Sequence, residues 1–178
     1  VMGTWKFFGR ASARVLLPSV LLSLGVVSFA RNETYLSRLT LWRETLLLRP
    51  NNPRAHFNAG QAAGDLKLVD EAMAHYAETL RLDPLYTKAY YNLGVLRAAK
   101  PEQRAEAIRL YTVALTIQPD FADAHNNLAA LLAEEPGRVG DALVHYQAAI
   151  THRPDHAVAH YNLAALLQKI PGRAAESL

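Results

Sequence analysis

At 178 residues, half of them apolar, the chain is long enough for one domain with a continuous core. It has no cysteine, which excludes disulfides, thiolate metal sites and cysteine nucleophiles. The formal charge of +3 misleads: Lys6, Arg10, Arg14 and Arg31 hold four of the 19 basic residues, and no acidic residue precedes Glu33. Residues 32–178 therefore carry 15 basic against 16 acidic side chains, about −1, which is no electrostatic footprint for nucleic acid.

The first 31 residues differ in kind from the rest. "VLLPSVLLSLGVVSFA" (Val15–Ala30) has no charge and is bracketed by Arg14 and Arg31. As a helix it spans roughly 24 Å, short of the ~30 Å hydrocarbon core. Arg14 and Arg31 can snorkel, and Trp5, Phe7 and Phe8 suit an interface, so a short transmembrane helix is one reading. A secretory signal is another, with Lys6, Arg10 and Arg14 as its basic region and Ser28-Phe29-Ala30 resembling a cleavage site. A buried helix fits less well, because the run is apolar all round. Both leading readings put residues 32–178 across a membrane, in a periplasmic, extracellular or lumenal space. Basic residues ahead of the span favour a cytoplasmic N-terminal side, and Arg31, Arg38 and Arg43 behind it pull the other way.

Residues 32–52 predict the orphan second helix of a partial repeat, "LSRLTLWRETLLLRP", with Trp42 in the slot that Tyr76 takes in the next unit and Pro50 in that of Pro84. From residue 53 the chain repeats itself. "AHFNAGQAA", "AYYNLGVLR", "AHNNLAALL" and "AHYNLAALL" begin at Ala55, Ala89, Ala124 and Ala159, in steps of 34, 35 and 35 residues. Each of the first three precedes a second apolar-periodic stretch, ending at Pro84, Pro119 or Pro154, with Tyr76, Tyr111 or Tyr146 in its middle. A period near 34 with two helical patterns per unit signals stacked helix–turn–helix repeats. Proline ends each second helix because it pushes the preceding residue out of the helical region. Small residues at Gly94, Ala129 and Ala164 let the paired helix approach, and the tyrosine fills the gap. The extra residue of the longer units falls at "KPEQR" (Lys100–Arg104) and "EPGRVG" (Glu135–Gly140), both turns. The units run 53–86, 87–121, 122–156 and 157–178, the last stopping one turn into its second helix, as in a piece of a longer protein.

These four registers resemble the tetratricopeptide-repeat family over about residues 36–178. The resemblance implies an all-α, right-handed superhelix of about three and a half helix–turn–helix repeats, here preceded by one apolar membrane-proximal helix, with the first helix of each repeat on the concave side. The stretch "RNETYLSRLTLWRETLLLRPNNPRAHFNAG" (Arg31–Gly60) also resembles the junction in polytopic transmembrane-and-tetratricopeptide-repeat proteins. In its eukaryotic members the membrane part resembles lipid-linked-sugar O-mannosyltransferases and the repeats face the lumen; bacterial relatives share the layout. Those proteins have many spans and this chain at most one, so their catalytic carboxylates have no counterparts here.

The sixth residue of every unit is asparagine: Asn58, Asn92, Asn127 and Asn162. In a stack they form a row. An amide both donates and accepts, so a row of them can hold the backbone of an extended peptide. This resembles the asparagine ladder of O-linked N-acetylglucosamine transferases; the alternative is that the amides bond within the stack. Phe57, Tyr91, Asn126 and Tyr161 are expected beside them, with Arg54 and Lys88 adding positive charge and Asp123 opposing it. His56, His125 and His160 recur at the fourth position, a packing site, whereas His75 and His145 precede the core tyrosine and are expected to face outward. "HRPDH" (His152–His156) is broken by Pro154, so no metal site is expected, and no cofactor or catalytic motif occurs. The expected function is a protein- or peptide-binding scaffold, held at a membrane by residues 15–30. The alternative is the non-catalytic arm of a membrane glycosyltransferase that presents acceptor protein.

Overall fold

The computed structural model describes residues 38–170. The apolar segment of residues 1–31, the start of the next unit and the closing "PGRAAESL" lie outside them. Helix α1 is described over 38–48. It is followed by α2 (Pro53–Asp65), α3 (Val69–Leu82), α4 (Thr87–Ala98), α5 (Arg104–Ile117), α6 (Ala122–Leu132), α7 (Val139–His152) and α8 (Ala157–Lys169), with a 3-10 turn at Pro101–Gln103. The described residues contain no strand, and no described helix is long and apolar enough to cross a membrane.

Helices pair α2 with α3, α4 with α5 and α6 with α7, and each pair adjoins the next. The punctuation is chemical. Asn52 caps α2 by accepting the Ala55 amide at 3.2 Å, and Pro53 supplies the first helical residue. The second helices stop at Leu82, Ile117 and His152, two residues before Pro84, Pro119 and Pro154. The intervening Asp83, Gln118 and Arg153 all take an extended ψ, 92°, 88° and 91°, as a following proline demands. Between helices the turns differ: Lys67 adopts φ 60° in the 34-residue unit, and Gly137 takes φ 80° in the third.

The core of each pair is one ring against one small residue. Tyr76, Tyr111 and Tyr146 are buried. A methyl placed on Gly60 would meet the Tyr76 ring at 2.7 Å, and one on Gly94 the Tyr111 ring at the same distance. Fully buried alanines (Ala72, Ala107 and Ala142 among them) line the remaining contacts. Such close-packed sites collapse poorly when a large side chain is removed. Tyr111→Ala is expected to cost about 3–5 kcal/mol in urea denaturation. The exposed neighbour change Val113→Ala should stay within about 0.5 kcal/mol. Comparable losses at both positions would contradict this picture of the core.

Candidate binding face

Helices α2, α4, α6 and α8 each begin with the repeated segment, and α4 and α8 both adjoin α6, so their sixth residues form a row. The asparagines are half-buried, and three of the four are joined to the stack. Asn92 Nδ2 donates to the Tyr76 hydroxyl at 3.4 Å. Asn162 Nδ2 donates to Asn126 Oδ1 (3.1 Å), Asn126 Nδ2 to Asn127 Oδ1 (3.1 Å), and Asn127 Nδ2 to the Tyr91 hydroxyl (3.2 Å). That is one directional chain of hydrogen bonds through three repeats. Burial pushes the Tyr76 hydroxyl up to about 12, against the opposing effect of the Asn92 bond. Burial also raises Tyr91, and the Asp123 carboxylate adds to it. Both hydroxyls stay neutral and serve as acceptors. Sequence placed Tyr91 beside the row and Tyr76 in the core, but not their hydroxyls as acceptors, because each belongs to the preceding repeat.

The column beside the asparagines divides. Phe57, expected on the open face, is buried, with its ring 4.8 Å from Tyr86. Tyr91 repeats that packing 4.9 Å from Phe121. In the third repeat both rings are replaced, by Asn126 and His156, and both replacements are buried. His156 Nδ1 caps α8 by accepting the Ala159 amide, and its Nε2 lies 3.3 Å from Asp123, which also holds Arg153 at 2.6 Å. Asp123 is therefore compensated within the fold. Phe57 and Asn126 are structural groups and offer no free surface. Tyr161 is 74% exposed, and Arg54 and Lys88 are exposed as well. Nearer the first repeat, a cavity of about 260 Å³ opens between Tyr76, Asn92, Gln61, Asp65, Arg38 and Val95, with Arg38 paired to Asp65 at 3.2 Å.

The histidines correct another expectation. His75 and His145 do not face outward: each turns to the neighbouring helix and meets His56 or His125, Nδ1 to Nδ1, at 3.1 Å and 2.9 Å. The fourth-position rings are anchored in turn, with His56, His125 and His160 Nε2 at 2.9, 2.9 and 2.8 Å from the carbonyls of Pro50, Pro119 and Pro154. Among the described residues no three His, Asp or Glu side chains group as a metal site.

Solved structures decide the fold. A structure of MamA superposes with a TM-score of 0.68 at 23% identity, over 78% of this chain and 80% of that one. MamA 41-end from Desulfovibrio magneticus RS-1 gives 0.70 at 21%, over 83% and 84%. YrrB, described as a TPR protein with an unusual peptide-binding site, gives 0.64 at 23%, over 89% and 78%. The chain has the tetratricopeptide-repeat fold. No family model matches the chain. Its curated relatives include protein O-mannosyl-transferase TMTC1 of Homo sapiens, 34% identical over 96 residues, and protein O-mannosyl-transferase F38B6.6 of Caenorhabditis elegans, 31% over 75. Those alignments take in 52% and 42% of this chain, and the chain spans about a tenth of the length of these relatives, 11% in each case.

The division of the column is directly measurable. Phe57→Ala is expected to cost about 3–5 kcal/mol, and Tyr161→Ala to stay within about 0.5 kcal/mol. Thermal melts of the two variants check this, and a large loss at Tyr161 would contradict the assignment.

Proposed function

We propose that the array binds an extended polypeptide along the face built by α2, α4, α6 and α8. The observation that carries this reading is the row Asn58, Asn92, Asn127 and Asn162. Three of its amides have their donors committed inward, on Tyr76, Tyr91 and Asn126. A donor locked in place fixes the orientation of its carboxamide, so the oxygens of Asn92 and Asn162 are pre-set as acceptors for peptide N–H groups. Asn58 makes no side-chain hydrogen bond among the described residues and keeps both functions free. Tyr161 supplies an exposed ring, and Arg54 and Lys88 set a positive end. Tyr91 contributes its hydroxyl rather than its ring face. YrrB, of the same fold, is described as having a peptide-binding site.

A second reading rests on the sequence relatives, which are named as O-mannosyl-transferases. In it the array is the right-handed, non-catalytic arm of a membrane glycosyltransferase. The apolar run at residues 15–30 tethers it, and the repeats present acceptor polypeptide outside the cytoplasm. Every chemical step then belongs to parts of such a protein beyond this chain.

The test is a peptide-array pull-down with the full chain and with all four row asparagines changed to alanine. Binding is expected to weaken at least about tenfold in the variant with helicity unchanged, since each lost ligand hydrogen bond is worth about 1 kcal/mol. Equal binding by both forms would remove the row from the site.

A further inference from the structure

Two of the three complete helix pairs are joined by facing imidazoles, and the third is not. In the first repeat His56 on α2 meets His75 on α3; in the third His125 on α6 meets His145 on α7. In the second repeat both positions change together. Tyr90 stands where the others have the fourth-position histidine, and Leu110 where they have the histidine before the core tyrosine. The two apolar replacements line one cavity between α4 and α5. The positions thus form a unit, filled by two imidazoles or by a ring and a leucine.

The hydrogen bonds fix which nitrogen holds each proton. A proline carbonyl only accepts, so His56 Nε2, 2.9 Å from Pro50 O, carries a hydrogen. A neutral His56 then has its lone pair on Nδ1, and His75 must donate to it from its own Nδ1. The same logic runs from Pro119 through His125 to His145. A first extra proton has a place that leaves this contact intact, on His75 Nε2, 3.8 Å from the Glu71 carboxylate one turn earlier. A second proton has none. It must enter on His56 Nδ1, and two N–H groups on two cations then face each other across 3.1 Å.

We propose that the first and third repeats each carry a proton-sensing clasp, in which the paired imidazoles hold the two helices together when neutral and part when both rings are charged. The second repeat, with Tyr90 and Leu110, has no such response, so acid loosens the array at two defined places.

The surroundings of the clasps are mixed. Around the first, Glu71 and Glu78 on α3 favour protonation. Arg43 on α1 opposes it and also ties up Glu71 at 2.7 Å, while Arg81 occupies Glu78. Around the second, Asp141 favours it and Arg138 opposes it, both from the start of α7, and His152 stacks on His125 with centroids 5.7 Å apart. Helix α5 brings Ile108, Thr112, Leu115 and Thr116 to the cavity beside His145. Burial, followed by the charge of the facing ring, holds His75 and His145 below the usual imidazole value, and burial does the same to His125. Groups with a folded-state value below the unfolded one take up protons more readily when the chain unfolds. The stability they contribute is fully present above about pH 6.5 and is lost as the pH falls through that value toward the lowered one.

The test compares thermal melts of the full chain and of the variant H56Y/H75L/H125Y/H145L, which carries the second repeat's solution in all three pairs. Between about pH 7.5 and about pH 5 the parent Tm is expected to fall by about 5 °C more than that of the variant. Equal slopes would overturn the proposal. If the variant does not fold at neutral pH, the nitrogen-15 imidazole spectrum of the parent decides instead. Protonation of His56 and His125 on Nε2, with Nδ1 bare at about pH 7.5, is required; protonation on Nδ1 overturns the clasp.

Discussion

One ring in each helix pair sets the spacing of everything else. Tyr76 lies on Gly60 and Tyr111 on Gly94, at distances that leave no room for a methyl group unless the ring shifts. That contact brings the two helices of a repeat together, and alanines with no exposure close the rest of the seam. The same tyrosine turns outward at its tip. The Tyr76 hydroxyl leaves the core on the side where Asn92 of the next repeat can reach it. Packing inside the first repeat is thereby coupled to the polar row of the second.

The third repeat shows how far this plan can be altered without losing it. Two earlier junctions are sealed by aromatic pairs, Phe57 with Tyr86 and Tyr91 with Phe121. The third uses Asn126 and His156, with Asp123 and Arg153 alongside. Buried polar groups are costly unless bonded, and here Asn126 is bonded on both sides of its amide. The substitution links the amide of Asn162 to that of Asn127, so a change in core chemistry lengthens the hydrogen-bond chain along the row. The same economy of paired change appears on the other side of the helix pairs, where His56 and His75 give way together to Tyr90 and Leu110.

Much of this was legible in the sequence, and the remainder was hidden for a physical reason. The helix-ending prolines and the turn insertions depend on residues near one another along the chain, and the period and the asparagine row are read by aligning copies 34 or 35 residues apart. Exposure within the row's neighbouring column has no such local origin. Phe57 and Tyr161 hold equivalent positions, yet one is buried and the other open. Tyr86, a ring from the loop after the second helix, covers Phe57, and the described residues end before the corresponding loop beside Tyr161. Helical periodicity puts His75 beside the core stripe, and hence outward. Its partner is 19 residues away on another helix, and helical periodicity does not report contacts between helices. The signal that was present is the joint exchange of both histidines in the second repeat.

The central claim is that the face of the first helices reads an extended chain through the carboxamides of its row. The most direct measurement is a titration of nitrogen-15-labelled protein with an excess of an unstructured peptide recovered from the array, following backbone amide, side-chain amide and imidazole signals. The account predicts shifts in Asn58, Asn92, Asn127 and Asn162 together with Tyr161, while the paired imidazoles stay unmoved. Shifts confined to the imidazole side or to the helix ends, with the row unchanged, would contradict it.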